Sequence, residues 1–232
     1  MHFQHCSEIW RDFPGLVPGV VFAEGISSGV SAGAGTAKYI AVARSRLADG
    51  PEGELPQIQA WRRAFAKMGL KPTQYRCASE SLLRRLRKDG SLPQLHPLVD
   101  LCNAVSLAFA IPVAVFDVSK ITGYLDVRYA AGDEDYLTFS GEVEQPNAHE
   151  VIFADRAGRV HARRWTNRQS GLSAVQNSTT AVLIVAEALH DSAASDVQEL
   201  TAAVADELHA IWSITPKAAV LSQSSPCFTF GQ

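Results

Sequence analysis

Pro97-Leu98-Val99-Asp100-Leu101-Cys102-Asn103-Ala104-Val105-Ser106-Leu107-Ala108-Phe109, followed after Ala110-Ile111 by Pro112-Val113-Ala114-Val115-Phe116-Asp117-Val118, is the stretch that decides the fold class. A proline at its head suits the first helical position, where its missing N–H leaves no hydrogen bond unmade. Leu98, Leu101, Cys102, Val105 and Phe109 recur with the spacing of one helical face, which puts Asp100 and Asn103, one turn apart, on the opposite flank. Pro112 stops the helix, and the valine-rich run Val113–Val118 predicts a strand. A helix feeding directly into an apolar strand points to a protein of the α/β class, mixed α+β.

Working outward, Val20–Ala23 reads as a short strand and Thr36–Leu47 and Ile58–Met68 as helices. Cys77–Lys88 predicts a helix closed by Asp89-Gly90. Downstream the signal turns to strands at Tyr124–Ala130, Tyr136–Phe139, Val151–Ala154 and Val160–Trp165, the last two joined as a hairpin around Asp155-Arg156-Ala157-Gly158. Ser178 or Thr179 is placed to cap a helix over Ala181–Leu189, Asp196–Ile211 predicts another helix, and Ala218–Leu221 a final strand. Ala48–Pro56, rich in Gly, Pro and acid, is expected to be a surface loop. No linker or internal repeat divides the 232 residues, so one domain over 1–232 is expected. Trp10, Phe13, Trp212, Phe228 and Phe230 need burial, which predicts that both ends pack onto the centre.

Apolar residues at 47% supply a core, and charged residues at 19% are too few for a disordered chain. The longest apolar run, Ala181–Ala186, is far short of the roughly 20 residues of a membrane span, so no membrane association is expected. The first residues lack a signal peptide's layout, and a cytoplasmic location is the default expectation. Cys6, Cys77, Cys102 and Cys227 form no CxxC pair and read as reduced thiols. The net charge of −3 conceals segregation. Residues 61–88 hold nine Lys and Arg against Glu80, and residues 155–168 hold five Arg against Asp155, while 133–150 holds six acids and no base. If the two basic segments meet in space they make a positive face for a phosphate backbone; the alternative is two solvated faces.

Chemistry-bearing motifs are sparse. Gly29-Val30-Ser31-Ala32-Gly33 matches GxSxG, but too few strands precede it for a hydrolase elbow, so it reads as a flexible turn. No nucleotide-binding glycine motif is present, and the seven histidines show no HxxxH spacing, so neither a metal nor a cofactor is expected. Asp100 and Asn103 together can hydrogen-bond a substrate. Arg163, Arg164, Trp165 and Arg168 combine guanidinium groups with an aromatic platform suited to phosphates and stacked bases, the alternative being a half-buried edge Trp.

These residues carry a resemblance. Val99–Leu107, Ile111–Asp117, Gly123 with Asp126-Val127-Arg128, Phe153-Ala154-Asp155 and Thr179-Thr180 resemble, in order and spacing, the B3/B4 tRNA-editing domain of the phenylalanyl-tRNA synthetase β-subunit. The likeness covers about Trp61 to Leu189. Lys71-Pro72 followed by Arg76, Ser79, Glu80 and Arg84-Arg85, and Arg164-Trp165 followed by Arg168, resemble the freestanding form of that domain. The resemblance implies a single compact domain, a mixed sheet with helices packed around it, that binds the acceptor end of a mischarged tRNA and hydrolyses the aminoacyl ester in trans, without ligase activity. No protein partner is implied.

On that implication Asn103 is the catalytic residue, holding a water that attacks the ester with help from the terminal ribose hydroxyl. Arg76, Ser79, Glu80, Asp100, Asp117, Trp165 and Arg168 bind substrate, and Arg84, Arg85 and Arg164 hold the tRNA backbone. The chain departs from the synthetase pattern at Ala114, where that pattern has a histidine, and at Gln169–Ala174, where it has Gly-Gly and Glu. The alternatives are a non-catalytic RNA-binding module, which Ala114 and Ala174 favour, and a hydrolase or binder of a free small amino-acid derivative, which scattered basic residues would favour.

Overall fold

The computed structural model describes residues 1–231. In chain order the elements are β1 (His2–His5), α1 (Ser7–Asp12), β2 (Val17–Glu24), α2 (Gly33–Asp49), α3 (Pro56–Lys67), α4 (Ala78–Asp89) and α5 (Pro97–Phe109). There follow β3 (Val113–Asp117), β4 (Tyr124–Tyr129), β5 (Asp135–Leu137), β6 (Val143–Glu144), β7 (Val151–Asp155), β8 (Arg159–Arg163) and β9 (Arg168–Gln169). The chain closes with β10 (Ala181–Ala188), α6 (Ala193–Trp212), β11 (Lys217–Val220) and β12 (Cys227–Thr229). The helix and strand that opened the sequence reading are α5, with the expected bounds, and β3, which ends one residue early at Asp117 because Val118 starts a short 3-10 turn capped by the Asp117 carboxylate.

The strands form two sheets. The larger runs β12-β1-β4-β7-β8-β5-β6, with β9 added on β8. It is mixed: β1 and β4 pair in parallel, as do β5 and β8, and the other neighbours are antiparallel. The smaller, β11-β2-β10-β3, is antiparallel throughout. Successive side chains of β10 serve opposite faces. Leu183 and Val185 join a core with Phe3, Trp61, Phe116 and Phe153, while Val182, Ile184 and Ala186 join a second core with α5 and α6. The small sheet is therefore buried on both faces. At the crossing of β2 and α6 the backbone comes so close that a Cβ on Gly19 would lie 2.5 Å from Thr201 Cγ2 and 2.6 Å from Val197 Cγ1.

Residues 181–188 correct the sequence reading, which expected a helix. Aliphatic side chains on both faces carry no period-2 alternation, and such a run is ambiguous between buried strand and buried helix. Its register against β2 and β3 settles the strand. Thr179 does not cap a helix; its hydroxyl donates to Asp117 at 2.7 Å. The expected hairpin is present as β7–β8, with Gly158 at φ 75° and Asp155 accepting the N–H groups of Ala157 and Arg159. Ala48–Pro56 is more than a surface loop, because Glu52, 6% exposed, pairs there with Arg84 and Arg87. Trp10, Phe13, Phe228 and Phe230 are buried as expected, and Trp212 is half-buried.

Candidate functional site

The helix α5 starts at a histidine. His96 stands at the N-cap, and its Nδ1 accepts the backbone N–H of Leu98 at 3.2 Å. A neutral ring whose Nδ1 accepts must carry its proton on Nε2. That atom is buried with no partner, and the ring is 5% exposed. Burial pushes the imidazole below its ordinary pKa, with nearby Asp100 opposing. The sequence reading gave His96 no role; the signal for it was a histidine directly before an N1 proline.

His96, Leu95 and Asn103 form the ridge between two clefts. The first, about 570 Å³, lies between the start of α2 and α5 and includes Ser31, Gly33, Thr36, Arg44 and Asp100. The second, about 560 Å³, lies over β3 and includes Val113, Val115, Phe139, Gln169 and Ala174–Ser178. The side-chain amide of Asn103 makes no hydrogen bond to any described residue and is half-buried on this ridge. Its neighbour Asp100 is partly occupied, accepting the Leu95 N–H at 2.9 Å. Cys102 is buried, its thiol pushed up by burial to about 12, which leaves it unreactive. Ser31 accepts the Gly33 N–H at 3.4 Å in the turn leading into α2.

Val113 and Gln169 also wall a smaller cavity of about 60 Å³ on the other side of β3, with Ala114, Trp165, Thr166, Asn167 and Glu187. Two of the three hollows thus share β3, and the first meets the second across the ridge.

The remaining expected site residues lie off this ridge. Glu80 is fully buried between Arg62, at 2.7 Å, and Arg76, at 3.3 Å. Ser79 sits beside Cys77, with its hydroxyl 3.4 Å from the thiol. Asp117 is buried and saturated, accepting from Ser119 and Thr179. Trp165 is fully buried with its indole N–H on Glu187 at 2.8 Å, so it offers no face to a stacked base. Arg168 is exposed and paired with Glu144.

The two basic segments do meet. Asn167 Nδ2 donates to the Arg76 carbonyl at 2.7 Å, Ala78 N donates to the Thr166 carbonyl, and the Arg164 guanidinium sits 4.9 Å from the Tyr75 ring centre. The acids come with them. Glu150 and Glu144 neutralise Arg163, Glu150 lies 4.0 Å from Arg164, and Arg84 and Arg85 pair with Glu52 and Asp89. Of the expected backbone contacts, all three arginines have a carboxylate partner. Arg63, Lys67, Lys71, Lys88 and Arg156 of the same two segments are exposed and have no carboxylate partner among the described residues, so the segregation is cancelled only in part.

A family model described as "B3/4 domain" matches residues 60–204. Over 75 residues the chain is 37% identical to a phenylalanine–tRNA ligase beta subunit of Legionella pneumophila (strain Lens), covering 32% of this chain and 9% of that protein. The same named subunit of Shewanella oneidensis is 33% identical over 90 residues, covering 38% of this chain and 11% of that protein. These matches span about a tenth of the length of the curated relatives. A crystal structure of an N-terminal fragment of the phenylalanyl-tRNA synthetase beta-subunit from Pyrococcus horikoshii superposes with a TM-score of 0.46 at 10% identity, over 92% of this chain and 49% of that one.

Proposed function

The chain belongs to the B3/4 domain family, and from that premise we propose that it hydrolyses the ester of a mischarged aminoacyl-tRNA in trans, at the ridge of Asn103 and His96. The observation that carries the reading is the free amide of Asn103 on a ridge between two clefts large enough for a terminal nucleoside and an aminoacyl group. The Asn103 amide is a neutral donor, a group that stabilises an oxyanion without competing for the attacking water's proton, and His96, whose Nε2 is buried, caps the start of the helix that carries it. The ribose hydroxyl next to the ester assists the attack, so no protein nucleophile is needed. The first cleft adds Arg44 and the first turn of α2, whose N–H groups beyond that of Gly33 favour phosphate.

The test is a panel of correctly and incorrectly charged aminoacyl-tRNAs incubated with the purified protein. Loss of the ester beyond its spontaneous rate for at least one mischarged member is expected, and Asn103→Ala is expected to lower that rate about a hundredfold while the circular dichroism spectrum is unchanged. Retained turnover in the variant moves the site away from α5.

One observation favours a second reading. Arg84, Arg85, Arg164 and Arg168 are each held by a carboxylate of the same chain, which suits a binder or hydrolase of a free small amino-acid derivative. Turnover of aminoacyl esters lacking the tRNA, at a rate equal to that of the charged tRNA, selects it.

A further inference from the structure

Phe139 and Leu95 are the two most exposed large hydrophobic side chains among the described residues, at 73% and 67%. Single apolar side chains at a surface are ordinary. These two come from distant parts of the chain and line the same cleft, the one of about 560 Å³ over β3. Leu95 stands on the ridge, and Phe139 lies in the turn between β5 and β6. The turn is held although the ring is bare. Thr138, 3% exposed, accepts the Gly141 N–H at its carbonyl at 3.1 Å and donates its own N–H to the Glu142 carbonyl at 2.8 Å, while its hydroxyl accepts the Glu142 N–H at 3.0 Å. Gly171 donates to the Leu137 carbonyl at 2.9 Å and lies so close that a Cβ there would stand 2.9 Å from the Thr138 carbonyl oxygen. An aromatic ring on so braced a support loses little freedom when a flat group lands on it.

The rest of the cleft restricts what that group can be. Val99, Val113 and Val115 give it alkyl surface, and no Lys, Arg, Asp or Glu lines it. A charged group placed there would lose water without gaining an ionic partner. Its polar side chains are mostly amides, and those of Asn103, Gln176 and Asn177 make no hydrogen bond to any described residue. Each amide offers both donors and an acceptor. A flat, uncharged heterocycle with apolar faces and a mixed donor and acceptor edge meets all of these conditions, and a phosphate meets none. The first cleft differs in kind, since it holds Arg44 and the first turn of α2.

We propose that Phe139 is the stacking platform for the terminal nucleobase of the tRNA acceptor end, with Leu95 as its apolar neighbour on the ridge. The proposal rests on the reading that the ridge receives aminoacyl-tRNA, and it divides the last nucleotide across that ridge. The phosphate lies on the Arg44 side, the ribose at Asn103 and the base over β3. Phe139 thereby takes the part that the sequence reading gave to Trp165, whose ring is buried.

Fluorescence anisotropy of a labelled single-stranded RNA ending in CCA, compared with the same RNA lacking its last base, tests this without any ester. The parent protein is expected to bind the intact end about tenfold more tightly than the abasic one. Phe139→Ala is expected to remove that difference while leaving the affinity for abasic RNA unchanged, and Phe139→Tyr, which keeps the ring, to retain it. Equal affinity of the parent for the two RNAs, or a difference that survives in Phe139→Ala, overturns the proposal. So does a dimer of the parent, seen by sedimentation, that Phe139→Ala dissolves, because the ring then belongs to a second copy of the chain. Turnover of mischarged tRNA without base-dependent binding keeps the ester reading and overturns this one, and base-dependent binding without turnover does the reverse.

Discussion

His96 caps α5 through Nδ1 and keeps its Nε2 buried without a partner. Because burial holds the folded imidazole below the ordinary value of 6.5, the unfolded chain takes up the proton first. The contribution of this group to stability is complete above about pH 6.5 and is lost as the pH falls through the folded value. His96→Asn keeps a capping oxygen and removes the titration. Urea midpoints measured from pH 7.5 to 5 should fall less steeply in that variant than in the parent, whereas His96→Ala should cost about 1 kcal/mol at pH 7.5 through loss of the cap. Asp155 behaves with the opposite charge. Although burial works against it, the His161 ring 3.4 Å away and hydrogen bonds from Arg159 and the Thr122 N–H hold its carboxyl far below the ordinary range. Its contribution is present above the ordinary value of 3.8 and is lost as the pH drops further. Asp155→Ala should lower stability by about 3 kcal/mol in chemical denaturation at pH 7, because it strands these donors in the interior.

Among the elements, close approach of β2 to α6 rests on one missing side chain. Gly19→Ala should destabilise by about 1–3 kcal/mol, read as a lower thermal midpoint, because the new methyl meets Val197 and Thr201. Element by element, the sequence was most readable where local chemistry decides. Pro97 fixed the start of α5, Gly90 the end of α4, and the Asp155–Gly158 turn the β7–β8 hairpin. It was least readable where tertiary context decides. Nothing local says that 181–188 lies between β2 and β3, and its alanines and preceding Ser and Thr imitate a capped helix. Strands as short as β6, β9 and β12 gain their regularity from neighbours, not from composition. The place of Asn103 on a helix flank beside Asp100 was legible from their spacing, one turn apart. The pairing of His5 with Glu187 was not, since 182 residues separate them.

At the scale of the whole molecule, charge is the quantity that folding rearranged most. Glu144 and Glu150 fold against Arg163, Arg164 and Arg168, and Glu52 against Arg84 and Arg87. Three cations free to meet phosphates would steepen the logarithmic dependence of tRNA affinity on salt by about 2.7 units. Replacing Arg84, Arg85 and Arg164 together by Gln should change that slope by well under this amount in filter-binding measurements from 50 to 200 mM salt, since each must first leave its own carboxylate. A change of the full size means that the pairs open on contact with RNA. The sheet order has a further consequence, in time. β1 pairs with β4 on one side and with β12 on the other, with Phe3 facing Phe228 in register. At roughly 5–20 residues per second, a ribosome needs about 10–45 s to pass from the first of these strands to the last. Throughout that interval one edge of β1 is an open row of hydrogen-bonding groups, exposed to any neighbouring chain. The closing of this protein's large sheet therefore waits until β12 has been made, and until then β1 is the strand most open to wrong pairing.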